Sequence, residues 1–146
     1  MPPTTRRILL VAAIAATLVT ACGAQAVLEA TDHPPAVVEA VDGASVRRVT
    51  LTEEAAHRIG IETAAVQAGG AGRVIVPTAA VLYDADGKTW VYTNPASDQF
   101  LRAQVDIVEI KGDSTVLSSG PPSDTLVVTV GVAELFGAET GVGEPE

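Results

Sequence analysis

Asp86-Gly87 stands between two stretches of strand-forming residues, 79–83 and 89–93. Gly reaches positive φ without a Cβ clash and Asp tolerates it, so this pair between apolar stretches predicts a two-residue hairpin loop. Such a loop sets a register, with Tyr83 opposite Trp90, Leu82 opposite Val91 and Val81 opposite Tyr92. Three of the chain's five aromatic residues would then share one face. There each cross-strand pair stabilises a sheet by roughly 0.2–1 kcal/mol.

Extended signals continue on both sides. Val74-Ile75-Val76 is a short strand closed by Pro77, and 94–98 is a turn. Leu101, Ala103, Val105 and Ile107 alternate with polar residues, as in one half-buried strand. Gly112-Asp113 is a further turn before a strand over 114–117, and 120–124 is a loop. The continuous apolar run 126–130 suits a central strand. Upstream, 46–51 is extended. Thr52 is placed to cap a short helix whose first turn holds Glu53 and Glu54, with Glu54 and Arg58 four apart and Gly60 at its end. Leu51, Ala55 and Ile59 make its apolar stripe. Residues 61–66 resume as a strand, and the Gly-rich 67–72 reads as a flexible connection. The acidic, Gly-rich tail after Ala138 is expected to fray, with 141–146 disordered. The expected fold is mainly β: a small antiparallel β-roll or barrel with one short helix, over 46–140.

What precedes the domain decides its address. Arg6 and Arg7 are followed by an apolar run of about a dozen residues, 8–19, too short to span a bilayer comfortably and suited to a signal peptide. Val19-Thr20-Ala21-Cys22 then resembles the cleavage box of bacterial lipoproteins. That resemblance implies cutting between Ala21 and Cys22, after diacylglycerol is attached to the Cys22 thiol. Cys22 is the only cysteine, so no intramolecular disulfide competes for it. Acyl chains hold at about 0.8 kcal/mol per buried methylene. The expected location is the cell envelope, on the extracytoplasmic face of a membrane, with 1–21 removed and 22–45 a lipidated tether containing Asp32-His33-Pro34-Pro35.

Loss of residues 1–21 removes Arg6 and Arg7 and takes the formal charge from −9 to −11. A surface so acidic repels nucleic acid and anionic headgroups, so no nucleic-acid partner is expected. Catalytic candidates are few. His33 and His57 lack a second His or Cys at ligand spacing, and Glu53 with His57 shares only a helix face. Asp84-Ala85-Asp86-Gly87 lacks the further ligands of a calcium loop. Ser118, Ser119 and Ser123 stand in no nucleophile elbow, and no phosphate-binding loop is present. The expectation is a non-enzymatic chain with no cofactor and no metal.

Two stretches resemble the periplasmic adaptor (membrane fusion protein) family of bacterial efflux pumps. The first runs from Val49-Thr50-Leu51-Thr52-Glu53-Glu54-Ala55 through Ile59-Gly60-Ile61-Glu62-Thr63 to Val66. The second is Val76-Pro77-Thr78-Ala79-Ala80-Val81-Leu82 with Asp86-Gly87-Lys88-Thr89-Trp90-Val91-Tyr92. Phe100, Val105 and Gly120 through Gly131 followed by Leu135 are similar to its closing strands, although Pro121 and Asp124-Thr125 depart from the usual pattern there. Full adaptors place lipoyl halves, a helical hairpin and a β-barrel between these stretches, where this chain has only 67–72. The resemblance therefore implies the membrane-proximal domain alone, docking on a membrane transporter of ABC-type or proton-driven class. The exposed hairpin tips, with Asp84, Asp86, Lys88 and Ser97, are the candidate partner contacts. Two alternatives remain open: a small solute- or metal-binding envelope lipoprotein, and a purely structural one.

Overall fold

A strand with apolar side chains on both faces needs cover on both sides, and the neighbours Val91-Tyr92 and Val127-Val128 create that demand twice. The computed structural model describes residues 34–141. The chain runs β1 (Ala36–Ala40), β2 (Arg47–Leu51), α1 (Glu53–Ile59), β3 (Glu62–Ala65), β4 (Gln67–Gly70) and β5 (Arg73–Pro77). A 3-10 turn (Thr78–Ala80) leads to β6 (Leu82–Tyr83), β7 (Thr89–Ala96), β8 (Gln99–Gln104), β9 (Asp106–Lys111), β10 (Ser114–Ser119), β11 (Leu126–Val130) and α2 (Val132–Thr140). The larger sheet is ordered β1-β2-β8-β7-β11-β3, with β6 beside β7; the smaller is β4-β5-β10-β9. All pairings are antiparallel.

One core lies between the larger sheet and the helices: Val49, Leu51, Tyr92, Phe100 and Val128 meet Ala55 of α1 and Leu135 of α2. The other lies between the sheets, where Val91 and Val127 meet Val76 and Leu117. Alternation along β7 and β11 thus feeds both layers. Each fully buried large apolar side chain contributes about 1.5–3 kcal/mol.

The chain passes between sheets at two buried valines. Val66 separates β3 from β4; its N–H donates to the Thr125 carbonyl (2.8 Å) and its carbonyl accepts from Asp124 N–H (2.9 Å). Val105 separates β8 from β9; its N–H donates to the Thr89 carbonyl (2.9 Å) and its carbonyl accepts from Thr89 Oγ1 (2.6 Å). Both corners keep their backbone groups paired, as buried backbone must.

α1 forms as its sequence predicts. Thr52 Oγ1 accepts from Ala55 N–H at 3.1 Å, Gly60 closes it at φ 73°, and Glu54 meets Arg58 at 2.7 Å.

The fold is mainly β, but several details differ from the sequence reading. The sheets remain open and form no closed barrel, because the chain changes sheet at Val66 and Val105 instead of continuing one ladder. The described residues form two α-helices; α2 reaches Thr140 and buries Glu139, so the stretch after Ala138 is not frayed there. Five residues of the expected tether are strand: in β1–β2, Ala36 and Val38 lie opposite Leu51 and Val49 and pack on the helix-side core. Residues 67–70 pair with β5 as a hairpin, although their glycines carry no strand signal. The expected strand through Leu101 and Ile107 breaks at Val105.

The hairpin register also differs. Leu82 lies opposite Trp90 and Tyr83 opposite Thr89. The loop is one residue longer than Asp-Gly alone demands: Gly87 N–H donates to the Asp84 carbonyl (3.1 Å), Asp84 N–H donates to the Lys88 carbonyl (3.0 Å), and Gly87 sits at φ 76°. A turn followed by a left-handed glycine is the three-residue hairpin solution. Tyr83 therefore leaves the face of Trp90 and Tyr92 and is 57% exposed, and Val81 ends the 3-10 turn rather than facing Tyr92.

Candidate functional site

The candidate contacts lie at opposite ends of one strand. The loop containing Asp84, Asp86 and Lys88 precedes β7, and Ser97 follows it. Eight residues of β7 separate them, about 26 Å at the rise of a strand. Ala21, Cys22 and His33 lie outside the described residues.

At the first tip Asp84 points back into its own loop. Its Oδ1 accepts from Asp86 N–H (3.0 Å) and Lys88 N–H (2.8 Å), and its Oδ2 from the Trp90 indole (2.8 Å). Desolvation pushes the carboxyl pKa up, but these three hydrogen bonds and the Lys88 charge outweigh it and hold Asp84 below the usual carboxylate range. Asp84 shapes the loop, while Asp86 and Lys88 are exposed.

The second tip borders a cleft. α1, the start of β3 and the 97–98 turn surround an open cavity of about 750 Å³. Ala56, Ile61 and Phe100 supply its apolar part, with Phe100 also in the core. Glu53, His57, Glu62, Asn94, Ser97 and Asp98 supply its polar part. No Lys or Arg lines it, and Glu53, Glu62 and Asp98 enter no ion pair among the described residues. Asn94 Nδ2 braces the turn by donating to the Ala96 and Gln99 carbonyls at 2.7 and 2.9 Å. The described chain also enters the fold at this end: Leu51 N–H donates to the Asp98 carbonyl (2.9 Å) and Thr52 N–H to the Pro35 carbonyl (3.0 Å).

A third cluster was not anticipated from sequence. Glu139 of α2 is 3% exposed; it meets Arg102 at 3.1 Å, accepts from Arg47 N–H at 3.2 Å and accepts from the Tyr92 hydroxyl. The Arg102 guanidinium carbon stands 4.3 Å from the Trp90 ring centre and 5.3 Å from that of Phe136. Burial and the neighbouring Glu139 carboxylate push the Tyr92 phenol far above its ordinary value. The available signal was Glu139 itself, an acid four residues after Leu135 and three after Phe136, on the apolar side of a helix. Arg102 pairs with Glu139, although its buried Nε has no hydrogen-bond partner among the described residues, and the cluster fastens α2 to the sheet.

Glu53 and His57 both border the cleft, whereas Glu54 is taken by Arg58. Among the described residues no group of three or more His, Cys, Asp or Glu side chains is placed to hold a metal, and no helix is long and apolar enough to cross a membrane. No family model, no curated protein and no solved structure matches the chain.

Proposed function

We propose that this chain is a lipid-anchored, non-enzymatic, adaptor-like module that docks on a membrane efflux transporter of ABC-type or proton-driven class. The observation that carries the reading is a pair of adaptor-like stretches on a chain whose only cysteine closes an export signal. Its support in the fold is proximity. The first stretch supplies β2, α1 and β3, the second β5 to β7, and β11 joins β3 to β7 in one sheet. Pro35 lies thirteen positions after Cys22; fully extended, that length reaches at most about 45 Å. A domain tethered so shortly meets only what stands close to the bilayer.

Purification of the full chain from membranes in mild detergent tests the reading. Diacylglycerol on Cys22 by mass spectrometry, together with a co-purifying transporter permease, is the expected result. A Cys22→Ser chain should lose the membrane fraction. Recovery of the lipidated protein alone would count against the docking role, and an unmodified Cys22 against the anchor.

A further inference from the structure

We infer that the cleft between α1 and the Ser97-Asp98 turn is the docking surface for a basic extracytoplasmic segment of the membrane partner. This deepens the adaptor reading and rests on it. Three independent features of the fold converge there.

The first is shape. The cavity of about 750 Å³ is open and has Ala56, Ile61 and Phe100 as its apolar part. Such a surface takes a side chain or short segment laid across it, with burial contributed by the apolar residues.

The second is charge. Glu53, Glu62 and Asp98 surround those apolar groups, no Lys or Arg lines the cleft, and none of the three acids enters an ion pair among the described residues. Lys or Arg on the incoming segment would supply the missing charge and steer the encounter. The same acids argue against the lipid surface as occupant, because anionic headgroups are repelled. They argue equally against a second copy of this acidic chain.

The third is position. Pro35 is hydrogen-bonded to Thr52, and Asp98 to Leu51, so the segment leading from Cys22 joins the fold beside the cleft. The chain from Cys22 therefore reaches the fold at the cleft end, and the Asp84–Lys88 loop lies at the far end of β7.

The test uses the full-length lipidated chain in intact cells. One version carries a photoreactive residue at Ser97 and another at Lys88; adducts are digested and sequenced. The expected result is a Ser97 adduct on a Lys- or Arg-bearing segment of a membrane protein, with none from Lys88. Glu53→Lys with Glu62→Lys should cut the Ser97 adduct roughly tenfold or more, since like charges now face each other. Both residues are exposed, and an unchanged melting temperature of the double variant verifies its fold. An adduct undiminished by charge reversal would overturn the inference, and so would a Ser97 adduct on phospholipid. Membrane-protein adducts from Lys88 alone would refute the cleft and leave the adaptor reading standing. No adduct from either position would sink both.

Discussion

Arg102 and Glu139 meet at 3.1 Å with side chains only 12% and 3% exposed, joining the middle of the larger sheet to the last turn of the C-terminal helix. A buried pair of this kind gains little over a well-packed apolar pair, but removal of one partner strands the other charge. Glu139→Ala should therefore destabilise the protein by about 3–5 kcal/mol, read as a lower midpoint in urea. Arg102→Met combined with Glu139→Leu should recover only part of that loss, because the Tyr92 hydroxyl and the Arg47 N–H still lack their acceptor. A single variant no worse than an ordinary surface substitution would show that the cluster does not hold α2.

Tyr92 gives the fold an alkaline limit. Its phenol is held protonated by burial and by Glu139, so its folded pKa lies above its unfolded value of about 10. A group raised in this way contributes stability that is complete below the unfolded pKa and declines as pH rises beyond it, because only the unfolded chain then releases the proton. Stability should be insensitive to Tyr92 ionisation near neutrality and fall above about pH 10. Tyr92→Phe removes one hydrogen bond to a buried carboxylate and should cost about 1–3 kcal/mol at neutral pH. Its urea midpoint should then decline less steeply in alkali than that of the parent. Equal alkaline slopes would contradict this assignment.

Asp84 orders the first hairpin loop through its ionised form. Because its pKa is lowered, the ordering is present above the ordinary carboxylate range and is lost as pH falls through the folded value. Asp84→Ala should speed hydrogen exchange at the Asp86 and Lys88 amides, which lose their acceptor. Trp90 fluorescence should change as the indole loses its partner. Unchanged exchange at both amides would mean that the loop is shaped by Gly87 alone.

Gly131 stands where β11 turns into α2, at φ 92°. A Cβ there would lie 2.9 Å from Ile59 Cγ2 and closer still to Ile61 Cδ1. Gly131→Ala adds backbone strain to crowding of the α1–β3 junction. Overpacking alone costs about 1–3 kcal/mol. The expected readout is a melting temperature lowered by several degrees; an unchanged value would show that the two isoleucines give way freely.

The elements legible from sequence are those whose signals are local. Thr52 and Gly60 delimit α1 because a cap and a left-handed stop act within a few residues. Val74-Ile75-Val76 and 126–130 read as strands from composition alone, and both are strands. Asp86-Gly87 announced a hairpin correctly. Its register turned on the Asp84 carboxylate, whose bond to the Trp90 indole becomes clear only once the loop is folded.

What the sequence by itself determined was the β class and the short capped helix. Tertiary structure decided the two-sided sheet, the corners at Val66 and Val105, and the second helix. It also brought α1 and the Ser97-Asp98 turn together as a cleft. The alternation of Leu101, Ala103 and Val105 marked a face that is half-buried at the first two and buried at Val105, but it cast Arg102 as solvent-facing. α2 covers that second face, which makes Arg102, Tyr92 and Glu139 neighbours across 47 residues of chain or fewer. Periodicity reports which side chains share a face; which faces are covered depends on contacts between segments far apart in the chain, and these form only when the whole domain packs.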